Sequence, residues 1–192
     1  DLGDEDRLLV NGAFRHRMAP DFHGFLFAGY DQPSFQNGVR GDYRGYLGGV
    51  GLERQFNDQW KGSIALGYEF LDYQDAAEHD TSLPYVKAAA QARPGARLTV
   101  DAEAEYSLEP SDRSLYSSKE YLRLLMRGTL ALSESLSAFG QAVYANGAYD
   151  AKSGIEDETR RVDDQAVVDG DDTLVDLQVG LLFRPQTGRY TG

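Results

Sequence analysis

The chain has 192 residues, about one domain, with 19 basic against 31 acidic side chains and a net charge of −12. That balance excludes a basic patch of the kind that grips nucleic acid or an anionic membrane surface. The absence of cysteine excludes a disulfide framework, a thiolate zinc site and a cysteine nucleophile.

No apolar run reaches the length of about 18 residues that a membrane helix needs. The chain starts at Asp1, which reads as a processed or trimmed start.

The dominant pattern has period two. Residues 7–17 and 22–31 are the first strand candidates. Residues 43–56 alternate loosely, and Gly45, Gly49 and Gly51 leave the odd positions nearly free of bulk. Gly45, Gly48, Gly49 and Gly51 inside a strand suit tight packing or strong curvature.

Residues 60–73 alternate most clearly. Trp60, Gly62, Ile64, Leu66, Tyr68 and Phe70 fall on one face, and Lys61, Ser63, Ala65, Gly67 and Glu69 on the other. Residues 85–93 are a further candidate. Over 98–108, Leu98, Val100, Ala102, Ala104, Tyr106 and Leu108 oppose Arg97, Thr99, Asp101, Glu103, Glu105 and Ser107.

Residues 121–132 repeat the alternation, with Leu122, Leu124, Met126, Gly128 and Leu130 against Arg123, Leu125, Arg127 and Thr129. Leu and Met also favour helix, which is the alternative for this segment. Residues 136–149 are a candidate strand. Residues 173–183 oppose Val175, Leu177, Val179, Leu181 and Phe183 to Asp176, Gln178 and Gly180.

The connections alternate short and long. Residues 19–21, 57–59, 94–96 and 133–135 are short, and 31–42, 72–82, 109–119 and 150–172 are long. This is the rhythm of an up-and-down outer-membrane barrel, with tight turns on one side and longer loops on the other. A Greek-key sandwich would not alternate so regularly.

The solvent met by the apolar face separates two readings. In a soluble, lipocalin-like barrel that face would be the core. In a membrane barrel it meets lipid, and the charged face lines the lumen.

Three features favour the membrane. The strands have the length of tilted membrane strands. Aromatics (Trp60, Tyr68, Phe70, Tyr106, Phe183) cluster toward strand ends, where interface girdles form. The other face combines small residues with opposite charges: Glu69, Asp101, Glu103, Glu105 and Asp176 against Arg123 and Arg127. On adjacent strands the rows Asp101, Glu103, Glu105 and Arg123, Arg127 are close enough to pair, and buried charges persist only when paired. Interior packing alone would also explain this ladder.

Three segments carry a resemblance. They are Gln55-Phe56-Asn57-Asp58-Gln59-Trp60 with 67–73, residues 136–150, and Asp176-Leu177-Gln178-Val179-Gly180-Leu181-Leu182-Phe183. They resemble the turn-and-strand units and closing strand of Gram-negative outer-membrane β-barrels, most nearly the β-barrel porin families. The match is one of pattern and spans residues 22–183. It departs at the end, because residues 184–192 follow the aromatic that normally closes such a chain.

The expected fold is therefore all-β, an antiparallel up-and-down transmembrane β-barrel of about eight strands over residues 22–184. Residues 1–21 are an N-terminal extension or an extra strand, and 185–192 a tail. Nine or ten strands, or a fragment of a larger barrel, remain open. Eight strands fill their own interior with side chains, whereas a larger barrel can conduct.

The resemblance implies a porin-like conduit, passive or export-linked, in the outer membrane of a Gram-negative bacterium. The alternative is a non-conducting structural or surface-interaction barrel with a plugged, salt-bridged lumen. The expected partners are outer-membrane lipid, lipopolysaccharide and other envelope proteins, with no nucleic acid and no cofactor.

Sites with enzymatic or metal chemistry are scarce. Residues 150–172 hold nine acids and three bases. Asp169, Asp171 and Asp172 are candidate oxygen ligands for calcium, but the spacing is not that of an EF-hand, and a solvated acidic loop is the plainer reading. His79, near Asp80 and Ser82, could serve a rim-borne hydrolase, although neighbours in a loop seldom form a triad. His16 and His23 flank a tight turn without ligand spacing. The chain reads as a protein other than an enzyme.

Overall fold

The computed structural model describes residues 5–35, 43–73, 80–110, 116–151 and 171–183. Among them are nine strands: β1 (Glu5–Ala19), β2 (Phe22–Phe35), β3 (Tyr43–Gln55), β4 (Trp60–Tyr73), β5 (Thr81–Ala92), β6 (Leu98–Pro110), β7 (Tyr116–Ala131), β8 (Leu136–Ala151) and β9 (Asp171–Phe183). They form one sheet in sequence order, each strand antiparallel to the next. Among the described residues there is no helix.

The described strands number nine, not eight, which is the alternative of an extra strand within residues 1–21. The segment 7–17 lies within β1, which pairs with β2 from Glu5↔Phe35 to Ala19↔Phe22 across the two-residue turn Pro20-Asp21. The helical alternative for 121–132 also falls. That stretch lies largely in β7, hydrogen-bonded to strands on both sides. The sheet is not closed: β1 and β9 are its two edges.

The short turns follow from their residues. The Asn57 carboxamide oxygen accepts the backbone N–H groups of Gln59 (2.8 Å) and Trp60 (2.9 Å), an Asx turn that reverses the chain between β3 and β4. The Ser133 hydroxyl does the same for Ser135 and Leu136 between β7 and β8. These turns fix the register, and the register fixes which side chains share a face.

From β1 to β8 the odd-numbered residues share the inner face, and in β9 the even-numbered ones do. Leu108, beyond the end of the β5–β6 ladder at Tyr106, is an even-numbered exception and is buried in the core cluster. A cluster of Tyr43, Leu71, Tyr73, Leu83 and Leu108 forms the core at the long-loop end. On the opposite face, Leu26, Val50, Ile64, Leu66, Leu124 and Met126 stand exposed in mid-strand.

The sheet curls strongly around its inner face. Phe27 on β2 and Tyr85 on β5 meet edge to face with ring centroids 5.6 Å apart. Three strand spacings of a flat sheet would separate them by ~14 Å. The approach depends on Gly49 and Gly67, which face each other on β3 and β4. A Cβ at Gly49 would collide with the Phe27 ring and the backbone of β4, and one at Gly51 with the Phe25 ring. The expectation of packing or curvature at Gly45, Gly48, Gly49 and Gly51 fits Gly49 and Gly51, whereas a Cβ at Gly48 would meet nothing within 4 Å.

The pairing row that starts at His16 passes through Gly24, Leu52, Ile64, Ala88, Ala104, Leu124 and Tyr144 to Val175. His16 lies close to the turn end of β1, whereas Val175 lies near the far end of β9. The strands are thus inclined to the line of their turns, as strands wrapping a cylinder are.

Candidate functional site

The inner face of β5, β6 and β7 carries the densest charge. The alternation aims Lys87 of β5, Asp101, Glu103 and Glu105 of β6, and Arg123 and Arg127 of β7 to the same side. The Lys87 ammonium bridges Glu103 (3.2 Å) and Glu105 (3.1 Å). The Arg123 guanidinium reaches Glu103 at 3.5 Å. Tyr85 donates its hydroxyl to Glu105 at 3.4 Å. One base on each side of β6 thereby holds Glu103, and Lys87 holds Glu105 as well, each group a quarter to a third exposed.

The ladder differs in detail from its sequence reading. Glu105 lies opposite Arg123 and Asp101 opposite Arg127 in the register, yet neither pair forms an ion pair among the described residues. Arg123 slants to Glu103, and Asp101 accepts the Gln91 carboxamide. Arg127 lays its guanidinium over the Phe139 ring, 5.0 Å from the centroid, with its Nε buried and without a hydrogen-bond partner among the described residues.

Lys87 was missed. It stands next to the alanine run 88–90, where alternation between an apolar and a charged face is faint. Its signal was position: a lone base two residues from Tyr85 on the odd face.

Glu69 plays a different part. Its carboxylate on β4 reaches over β5 and accepts the backbone N–H of Leu108 on β6. There the β5–β6 ladder has already ended, at Val86↔Tyr106, and the side chain replaces the missing strand partner. Asp176 on β9 accepts from Gln178 of its own strand (2.7 Å).

Further ion pairs line the same face. Arg7 holds Asp31 through two contacts of 2.8 and 2.7 Å, Arg15 reaches Glu53 at 3.1 Å across β2, and Lys119 reaches Glu109 at 3.7 Å. A cleft of about 240 Å³ opens between Glu53, Lys61, Gln91, Asp101 and Glu103.

Most outward aromatics lie toward the two ends, and Tyr144 stands at the middle of β8. Tyr30, Tyr46 and Phe70 form a row with centroid separations of 5.3 and 6.3 Å near the long loops. Tyr68 meets the Ser82 hydroxyl there, and Tyr106 donates to Glu120 at 2.7 Å. Trp60 and Phe183 stand exposed at the short-turn end.

Of the candidate metal ligands, Asp169 lies outside the described residues, as does the Asp171 side chain. Asp172 accepts the Tyr149 hydroxyl at 2.8 Å. Among the described residues no cluster of three or more His, Asp or Glu is placed to hold a metal ion. His79, residues 152–170 and the tail 185–192 lie outside the described residues.

Comparison with family models, with curated proteins and with solved structures returns no match.

Proposed function

We propose that the chain is an integral outer-membrane β-barrel protein of a Gram-negative bacterium, forming a porin-like conduit. The observation that carries this reading is the outward face. Every described strand presents apolar or small side chains there through its middle. The described charged or imidazole groups on it are Arg44, Arg54, Asp72, Glu120 and His16, each within five residues of a strand end.

On β4 the apolar row runs from Trp60 to Phe70. At ~3.3 Å per residue that is ~33 Å of strand, or ~25 Å of height at the usual tilt of a barrel strand. This equals the apolar band of an outer-membrane barrel, and aromatics border it above and below.

With the apolar face turned to lipid, the inner face is the polar lining. Its acids on β6 lie between bases on β5 and β7 and pair with them, so this stretch of the lining offers both signs of charge side by side. Lipid and lipopolysaccharide are the natural partners of the outer face, and other envelope proteins of the loops.

The ion-paired network of Lys87, Glu103, Glu105 and Arg123 favours a second reading, a non-conducting barrel whose lumen is plugged by paired side chains. Single-channel recording in a planar bilayer separates them. Steady, salt-dependent openings are expected of the conduit. A protein that folds in detergent, shows strand-rich circular dichroism and heat-modifiable gel mobility, and yet gives no openings would establish the plugged barrel.

A further inference from the structure

The two edges of the sheet run in the same direction, because each of the eight steps from β1 to β9 reverses the chain. All pairings in this sheet are antiparallel. Closing β1 directly on β9 would need a parallel ladder foreign to the rest of the sheet. A second copy does not help, since copies inserted in one membrane share one sense and offer only parallel mates. That exclusion rests on the membrane reading above.

Among the described residues the edges are unfinished in composition as well as in pairing. On β9, Leu177 and Val179 are 74% and 89% exposed, against 51% for Leu66 and 42% for Leu124 inside the sheet. Two inward groups of the edge strands bond along their own chain, whereas Arg7, Arg15 and Asp172 reach other strands. Arg17 donates to the carbonyls of Ala19 and Pro20, and Asp176 accepts from Gln178. The described inward charges of the two edges are opposite: Arg7, Arg15 and Arg17 on β1, Asp172 and Asp176 on β9.

We propose that β1 and β9 together form the docking slot for one further β-strand that runs opposite to both. That strand is apolar outward, with an inward carboxylate beside Arg17 and an inward basic group beside Asp176. It would make ten strands, an even number with antiparallel ladders throughout, as bacterial barrels have.

The test uses the chain's lack of cysteine. Gly12→Cys, where a Cβ meets nothing within 4 Å, and Leu177→Cys place two outward thiols on the edges. The double variant is folded in detergent with a 13-residue synthetic strand that alternates leucine with polar residues and carries one glutamate and one lysine on its polar side. A peptide of the same composition without alternation is the control.

The expected result is no disulfide in the absence of peptide. The alternating peptide alone should raise the melting temperature and allow a reagent spanning ~10 Å, two strand spacings, to link the thiols. A disulfide formed without peptide would mean that the edges close on each other and would overturn the slot. So would a peptide that changes neither linking nor melting. A chain that folds in plain buffer without detergent would overturn the membrane reading itself, and with it the exclusion of a second copy.

Discussion

The Phe27 and Tyr85 rings touch edge to face across two intervening strands. That contact records the curvature of the whole sheet, and Gly49 and Gly67 make room for it. Gly49→Ala should therefore destabilise the fold by about 1–3 kcal/mol, the usual cost of overpacking, because the obstacles include backbone that cannot swing aside. Gly48→Ala, one residue away on the outward face with nothing within 4 Å, should be near neutral. Urea titrations of the two variants in detergent compare them directly. Equal midpoints would show that Gly49 does not set the curl.

The Glu69 carboxylate and the Leu108 amide make a second long reach, from β4 to β6. Glu69→Ala removes the acceptor and leaves a backbone donor unsatisfied at the end of β6, at a cost of about 1–3 kcal/mol. Glu69→Gln keeps a carbonyl oxygen in place and should retain most of the stability. Hydrogen exchange at Leu108 reads the effect locally: fast exchange is expected in the alanine variant and slow exchange in the glutamine variant.

In the charge cluster, Lys87 holds two carboxylates and Arg123 only one. Lys87→Met should cost more than Arg123→Ala, about 2 against about 1 kcal/mol. Both figures lie below the value for a fully buried pair, since these groups are about a third exposed to water. Thermal melts of the single variants test the order. An unchanged melting profile in both would mean that the pairs contribute nothing to the fold.

Much of this architecture was legible because a strand writes its two faces into alternate residues. Leu98 to Tyr106 and Val175 to Phe183 declared their faces, and Asn57 and Ser133 marked their turns. Leu108, read on the outward face, is instead buried in the core cluster. β1 was less legible: its segment matched an extension as well as a strand, and only its pairing with β2 decides.

The site was legible as a face but not as a set of contacts. Alternation put Glu103 and Arg123 on one side, but the choice of Glu103 over Glu105 depends on how side chains slant across a twisted sheet. Arg127 found a ring instead of an acid, because Phe139 lies on the neighbouring strand nearly opposite it. Only its place on the odd face marked Lys87, and no sequence pattern announced the reach of Glu69.

The outward band makes a sharper demand. Leu66→Arg puts a charge at mid-height on β4, which in a bilayer should cost about 2–4 kcal/mol. Phe56→Arg, in the turn below, should cost about 0–1 kcal/mol. Folding titrations into lipid vesicles would show the difference. Equal, small effects at both positions are what a water-facing surface would give.

The most direct test of the account needs no variant. Trp60 is the chain's one tryptophan and stands outward at the short-turn end of the band. Its fluorescence can be followed in vesicles of lipids brominated at different depths. If the apolar face meets lipid, bromine near the headgroups should quench Trp60 strongly and bromine near the bilayer centre weakly. Emission that stays unquenched by every brominated lipid, from a protein shown by circular dichroism to be folded, would contradict the membrane-spanning reading.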